Sequence, residues 1–144
     1  MTLLQILKEI EDFAENNWFI NRFGNGPFDT INENIPNDGK YPILWVIPQG
    51  VRIDENSIVY KLRFLVFDKD DTDDSLRNQK LNDTLGTIID LWKFIKVDSA
   101  ELDDIELTGS AQAIPFEQKF VDYCVGWYMD LELATDGQNN PCNI

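Results

Sequence analysis

Leu3, Leu4, Leu7, Ile10, Phe13 and Ala14 recur at the three- and four-residue spacing of one helix face. Lys8, Glu9, Glu11, Asp12 and Glu15 fall mostly on the opposite side. Thr2 and Gln5 form a capping-box pair at its start: the hydroxyl accepts an orphan N–H and the amide reaches back. Asn16 and Asn17 end the helix, because their side chains compete with the backbone ladder. Trp18, Phe19, Ile20 and Phe23 then read as an extended segment or as anchors onto a core.

Residues 24–40 are rich in Gly, Asn, Pro and Asp, which is loop chemistry, and a loop of this length is a candidate contact arm. Tyr41–Pro48 follows as a β run apolar on both faces, which suits a strand covered on both sides or one at an interface between subunits. Ile58–Asp68 is a second long strand. Ile58, Tyr60, Leu62, Phe64 and Val66 share one of its faces; Lys61 and Arg63 share the other with Leu65 and Phe67. Beyond the acidic loop Asp68–Ser75, Leu76, Leu81, Leu85, Ile88, Ile89, Trp92 and Ile95 make a helical stripe capped by Asp73, Asp74 or Ser75.

Residues 98–104 read as acidic linker, Ile105–Leu107 as a short strand and Gly109–Pro115 as another loop. From Val121 to Leu133 apolar and polar positions alternate strictly, the mark of a half-buried antiparallel strand, with a bend or bulge expected at Gly126. The predicted order is α-β-β-α-β-β. It describes one α+β domain over residues 1–135, an antiparallel sheet packed on an N-terminal helix and one long central helix, with a polar tail at 136–144.

Composition narrows the chemistry. The 144 residues hold 12 Lys and Arg against 26 Asp and Glu, a net charge of −14, and no His. A His general base, a Ser–His–Asp triad and His metal ligands are therefore excluded from any site built by this chain alone. An anionic surface also opposes nucleic-acid binding by phosphate neutralisation. Cys124 and Cys142 are too few for a disulfide framework and read as unpaired thiols in a reducing compartment. The N-terminus lacks the basic region and apolar core of a signal peptide. The apolar run Tyr41–Pro48 is far short of the roughly 20 residues of a membrane helix.

Candidate chemistry is thin. Asp68, Asp70, Thr72 and Asp74 alternate as ligands do in a calcium loop, but Asp73 and Gln79 stand where an EF-hand needs Gly and Glu, so a solvated turn is the better reading. Asp122, Asp130 and Glu132 share one strand face. Asp130 and Glu132 are about 6 to 7 Å apart, within reach of carboxylate catalysis, yet such acids are ordinarily just solvated. Phosphate-loop, nucleophile-elbow and zinc-spaced cysteine motifs do not occur, so no catalytic, cofactor-binding or metal residues are assigned. The tryptophans read chiefly as core residues, with an interface role as the alternative.

The Tyr41–Val46 strand, the strand ending in Phe67-Asp68, the Asp-rich loop, the long helix and the closing run Gly126–Leu133 together resemble small neck and tail-terminator proteins of tailed bacteriophages. The resemblance implies a virion protein, assembled in the host cytoplasm, that forms a ring, commonly a hexamer, where tail meets head. Such a ring caps the tail tube and offers a surface to the connector, and no catalytic residue carries over. On this reading Tyr41, Ile43, Trp45 and Ile47 are the candidate subunit interface. Asp70, Asp71, Asp73 and Asp74, or the acids of 98–106, face a lumen or solvent, and DNA passes without being gripped. Two other classes fit the acidity: a binding module such as an immunity protein or DNA mimic that engages a basic partner, or a small carboxylate enzyme. The first predicts a monomer or dimer with a tight partner, the second converging acids and metal-dependent stabilisation.

Overall fold

The computed structural model describes residues 2–31, 40–70, 74–98, 105–107, 111–119 and 122–136. The first helix, α1 (Leu3–Asn16), carries the expected capping box, with Thr2 and Gln5 bonded both ways, and buries Ile6, Ile10 and Ala14. Six strands follow in chain order: β1 (Arg22–Asn25), β2 (Ile43–Ile53), β3 (Ser57–Lys69), β4 (Ile105–Leu107), β5 (Ala113–Lys119) and β6 (Tyr123–Asp136). The long central helix α2 (Asp74–Lys93) joins β3 to β4 and runs on into a π turn, Phe94–Asp98.

The strands form one mixed sheet in the order β1-β2-β3-β6, with β4 and β5 both paired to β6. β4 lies opposite Leu133–Thr135 and β5 opposite Tyr123–Met129, so the two share one edge position end to end. The expected α+β domain is therefore present, with its two helices and its long antiparallel centre of β2, β3 and β6. Two strands were not anticipated. Arg22–Asn25, which spans the end of the segment read as extended or anchoring and the first two residues of the expected loop, runs parallel to Ile43–Val46. Ala113–Lys119, expected partly as loop, pairs with β6 in spite of Pro115, which an edge strand tolerates. The expected run Tyr41–Pro48 does not end at its second proline: the register shifts between Pro48 and Gly50, and β2 continues through the shift to Ile53.

The two sheet faces differ in what covers them. On one, α1 and α2 pack over Leu44, Val46, Leu62, Phe64, Val66, Met129 and Leu131. Burying each such side chain is worth about 1.5–3 kcal/mol. The other face holds a smaller cluster at one end of the sheet: Ile43, Trp45, Ile47, Leu65, Phe67 and Cys124, closed by Ile31 and Tyr41 and flanked by Phe116 and Tyr128. Farther along this face Arg63 forms a two-point ion pair with Asp130 (2.7 and 3.0 Å) and stacks 4.3 Å from the Tyr128 ring.

The helical stripe of α2 is narrower than its sequence implied. Ile88, Leu91 and Ile95 are buried, but Leu76 and Ile89 are exposed, and Thr84 and Thr87 fill the inward positions instead. Their hydroxyls donate to backbone carbonyls one turn back, Lys80 and Asp83 respectively, so the buried polar atoms are satisfied within the helix. Gly126 marks no bulge: the β3–β6 register runs unbroken through it. A Cβ there would lie 2.0 Å from the Val66 carbonyl oxygen, so the glycine admits a close backbone approach.

Candidate functional site

The residues proposed as a subunit interface lie inside the fold. Tyr41, Ile43, Trp45 and Ile47 are all buried, at 8, 1, 2 and 8% exposure. The reason is the covering of the second sheet face, which a two-sided apolar strand cannot distinguish from an intersubunit contact. Trp45 donates its indole N–H to the Gly26 carbonyl (3.0 Å), and Gly24 sits so tightly over the ring that a Cβ would meet it at 2.2 Å. Trp127 is anchored likewise, donating to the Leu81 carbonyl (2.8 Å) on α2.

Asp70 leaves the proposed acidic face. It is 6% exposed and accepts a 2.6 Å hydrogen bond from Arg77, which also reaches Glu117 on β5 at 3.5 Å. Its backbone N–H donates to the Tyr123 carbonyl at the start of β6, so Asp70 ties the end of β3 to β6 and, through Arg77, to α2. Asp71, Asp73, Glu101, Asp103, Asp104 and Cys142 lie outside the described residues, as do the side chains of Asp74, Asp98 and Glu106.

The carboxylates weighed for catalysis are engaged with partners. Asp130 pairs with Arg63, and Glu132 lies 3.7 Å from Lys61. Asp122 accepts from the Tyr41 hydroxyl (2.9 Å). Beside them Cys124 is a buried free thiol whose Sγ donates to the Asp122 carbonyl. Burial pushes Cys124 up to about 12 and also drives Tyr41 well above the ordinary tyrosine range, so neither ionises near neutrality. Among the described residues no three Cys, Asp or Glu side chains are grouped to hold a metal ion, and no helix is long and apolar enough to cross a membrane.

What the surface offers is apolar. Val51 and Ile53, 49 and 79% exposed, stand opposite Tyr60 and Ile58 and so carry the helix-side apolar stripe out along the β2–β3 hairpin. Trp18 is 91% exposed in the turn after α1. Sequence reading placed Trp18 with the other tryptophans and did not single out Val51 and Ile53. The usable signal was position: Trp18 directly follows a helix-ending Asn pair, and Val51 and Ile53 alternate with Arg52 and Asp54 beside a turn. A third apolar feature is an open cleft of about 350 Å3 between α2 and β5, lined by Ile88, Ile89, Trp92, Ala111, Ala113 and Met129. No protein-family model matches the chain, and comparison with curated proteins finds no match either.

Proposed function

We propose that this protein is a structural component of a tailed-phage virion, forming a homo-oligomeric ring at the head–tail junction that terminates the tail tube or joins it to the connector. The proposal starts from the resemblance of its strand and helix runs to neck and tail-terminator proteins. The observation that carries it further is the β2–β3 hairpin. β1 covers only Ile43–Val46 of β2, and beyond the buried Ile47 the strand runs on to Ile53 with Val51 and Ile53 exposed to water. A monomer gains nothing from this exposure, whereas a neighbouring subunit that covers Val51 and Ile53 gains their burial.

The interface thus moves from Tyr41–Ile47 to the distal half of the same strand. The net charge of −14 suits a ring through which DNA slides, because like charge repels phosphate within about one Debye length, about 8–10 Å. The engaged state of Asp122, Asp130 and Glu132 gives the carboxylate-enzyme alternative no geometric support.

The test is the assembly state of purified protein by light scattering and negative-stain microscopy. Rings are expected for the wild type, and Val51→Asp with Ile53→Asp should yield a folded monomer, since both side chains are exposed. A wild type that stays monomeric at high concentration sinks the proposal. Rings that persist in the double variant sink the hairpin as their interface.

A further inference from the structure

A groove of about 200 Å3 runs between the turn after α1 and the adjoining flank of α2. Trp18 and Phe19 form one wall, and Asp83, Gly86, Thr87 and Asp90 form the other. Trp18 is held outward by a fixed turn: Asn17 caps it by accepting from the N–H groups of Phe19 (2.9 Å) and Ile20 (3.3 Å), while Ile20 turns into the core. Phe19 meets the Trp18 ring edge-on, with centroids 5.7 Å apart. The indole is thus an exposed aromatic platform on a constrained backbone, the kind of residue that dominates interfaces.

Gly86 supplies the independent observation. Mid-helix glycine costs about 0.5–1 kcal/mol relative to alanine. Packing here does not call for one, since a Cβ at 86 would meet nothing within 4 Å. The fold is indifferent to a side chain at this point, but the groove is not: Gly86 keeps its floor low. Among the described residues no Lys or Arg lines the groove, while two carboxylates do. Seven residues separate Asp83 from Asp90, which is about 10 Å along the helix axis.

We infer that this groove docks an arginine-bearing segment of another protein chain, its backbone lying over Gly86 and its guanidinium groups meeting the Trp18 face and the Asp83 and Asp90 carboxylates. Arginine is favoured over lysine because its planar cation stacks on an indole while its edge donates to carboxylates. The Thr87 hydroxyl is spent on the Asp83 carbonyl, and the Gln79 amide donates to one Asp83 carboxylate oxygen (2.9 Å), which leaves the other oxygen to the cation. The site goes beyond the ring proposal and does not depend on it.

The probe is a short alanine peptide with two arginines three residues apart, which in a polyproline II chain lie on one face about 9 Å apart, compared with its citrulline and lysine counterparts. Titration calorimetry should show saturable binding of the arginine peptide, with the Trp18 indole resonance shifting as it binds. Citrulline should abolish binding and lysine should weaken it. Trp18→Ala and Gly86→Leu should each weaken it about tenfold, and Asp83→Asn with Asp90→Asn at least as much. Gly86→Leu should melt no lower than wild type, because leucine is the better helix former. The ring-breaking Val51→Asp, Ile53→Asp variant should bind as wild type does. Absence of saturable binding overturns the inference. So does equal affinity in Trp18→Ala or Gly86→Leu, which would mean general attraction to an acidic protein.

Discussion

Two regions of this molecule are built from the same kinds of residue and behave oppositely. At one end of the sheet Trp45, Gly24 and Asp70 all point inward: an indole bonded to a carbonyl, a glycine pressed on that indole, a carboxylate bonded to Arg77. Beside α2, Trp18, Gly86 and Asp90 all face water. Residue type therefore does not decide role in this chain. The covering does: a side chain enclosed by other elements must be packed and satisfied, while the same side chain left outside is free to meet a partner.

That contrast can be broken most sharply at the tryptophans. Trp45→Ala should cost about 3–5 kcal/mol of stability by urea denaturation, the usual loss for a buried large aromatic. Trp18→Ala should stay within about 0.5 kcal/mol of wild type. A large loss at Trp18 would mean that its exposure misrepresents its role. The acids come next: Asp70→Asn leaves Arg77 only the more distant and more exposed Glu117 and should cost about 3 kcal/mol, while Asp90→Asn should be close to neutral in the same assay.

Smaller effects sharpen the picture. Gly24→Ala must displace the Trp45 ring and should cost about 1–3 kcal/mol. Alkaline pH probes the buried end through Cys124 and Tyr41. The unfolded thiol ionises near 9.0 and the folded one near 12, so the folded state holds its proton more tightly. Stability from this group is complete below pH 9 and is lost as pH rises toward 12, by up to about 1.4 kcal/mol per pH unit. Tyr41, raised by burial, acts in the same direction. Melting temperature should therefore fall above pH 9, less steeply in Cys124→Ala; a flat profile would show that burial does not hold the thiol neutral. Smallest of all, Gly86→Ala should raise stability by about 0.5–1 kcal/mol, the reverse sign to Gly24→Ala.

The elements legible in the sequence were those with strong local signals. Thr2 and Gln5 set the start of α1, the shared apolar face of Ile58–Val66 announced β3, and strict alternation announced β6. Short edge strands were not legible, because four residues of Arg-Phe-Gly-Asn carry no period and gain strand geometry only by pairing with Ile43–Val46. The burial of Tyr41–Ile47 within the chain was not legible for a related reason. Tyr41–Ile47 is apolar on both faces whether its second cover is Ile31 and Phe67 of the same chain or a neighbour, and hydrophobic periodicity does not identify the cover.

By itself, then, the sequence determined the α+β class, the two helices, the long antiparallel centre and the absence of histidine chemistry, because all of these follow from local pattern and composition. Tertiary structure decided which apolar residues are left over, placing Trp45 inside and Trp18, Val51 and Ile53 outside. It also decided which acids are consumed in pairs, because burial and partnership depend on neighbours distant in the chain: Arg77 for Asp70, Arg63 for Asp130, Gly26 for Trp45.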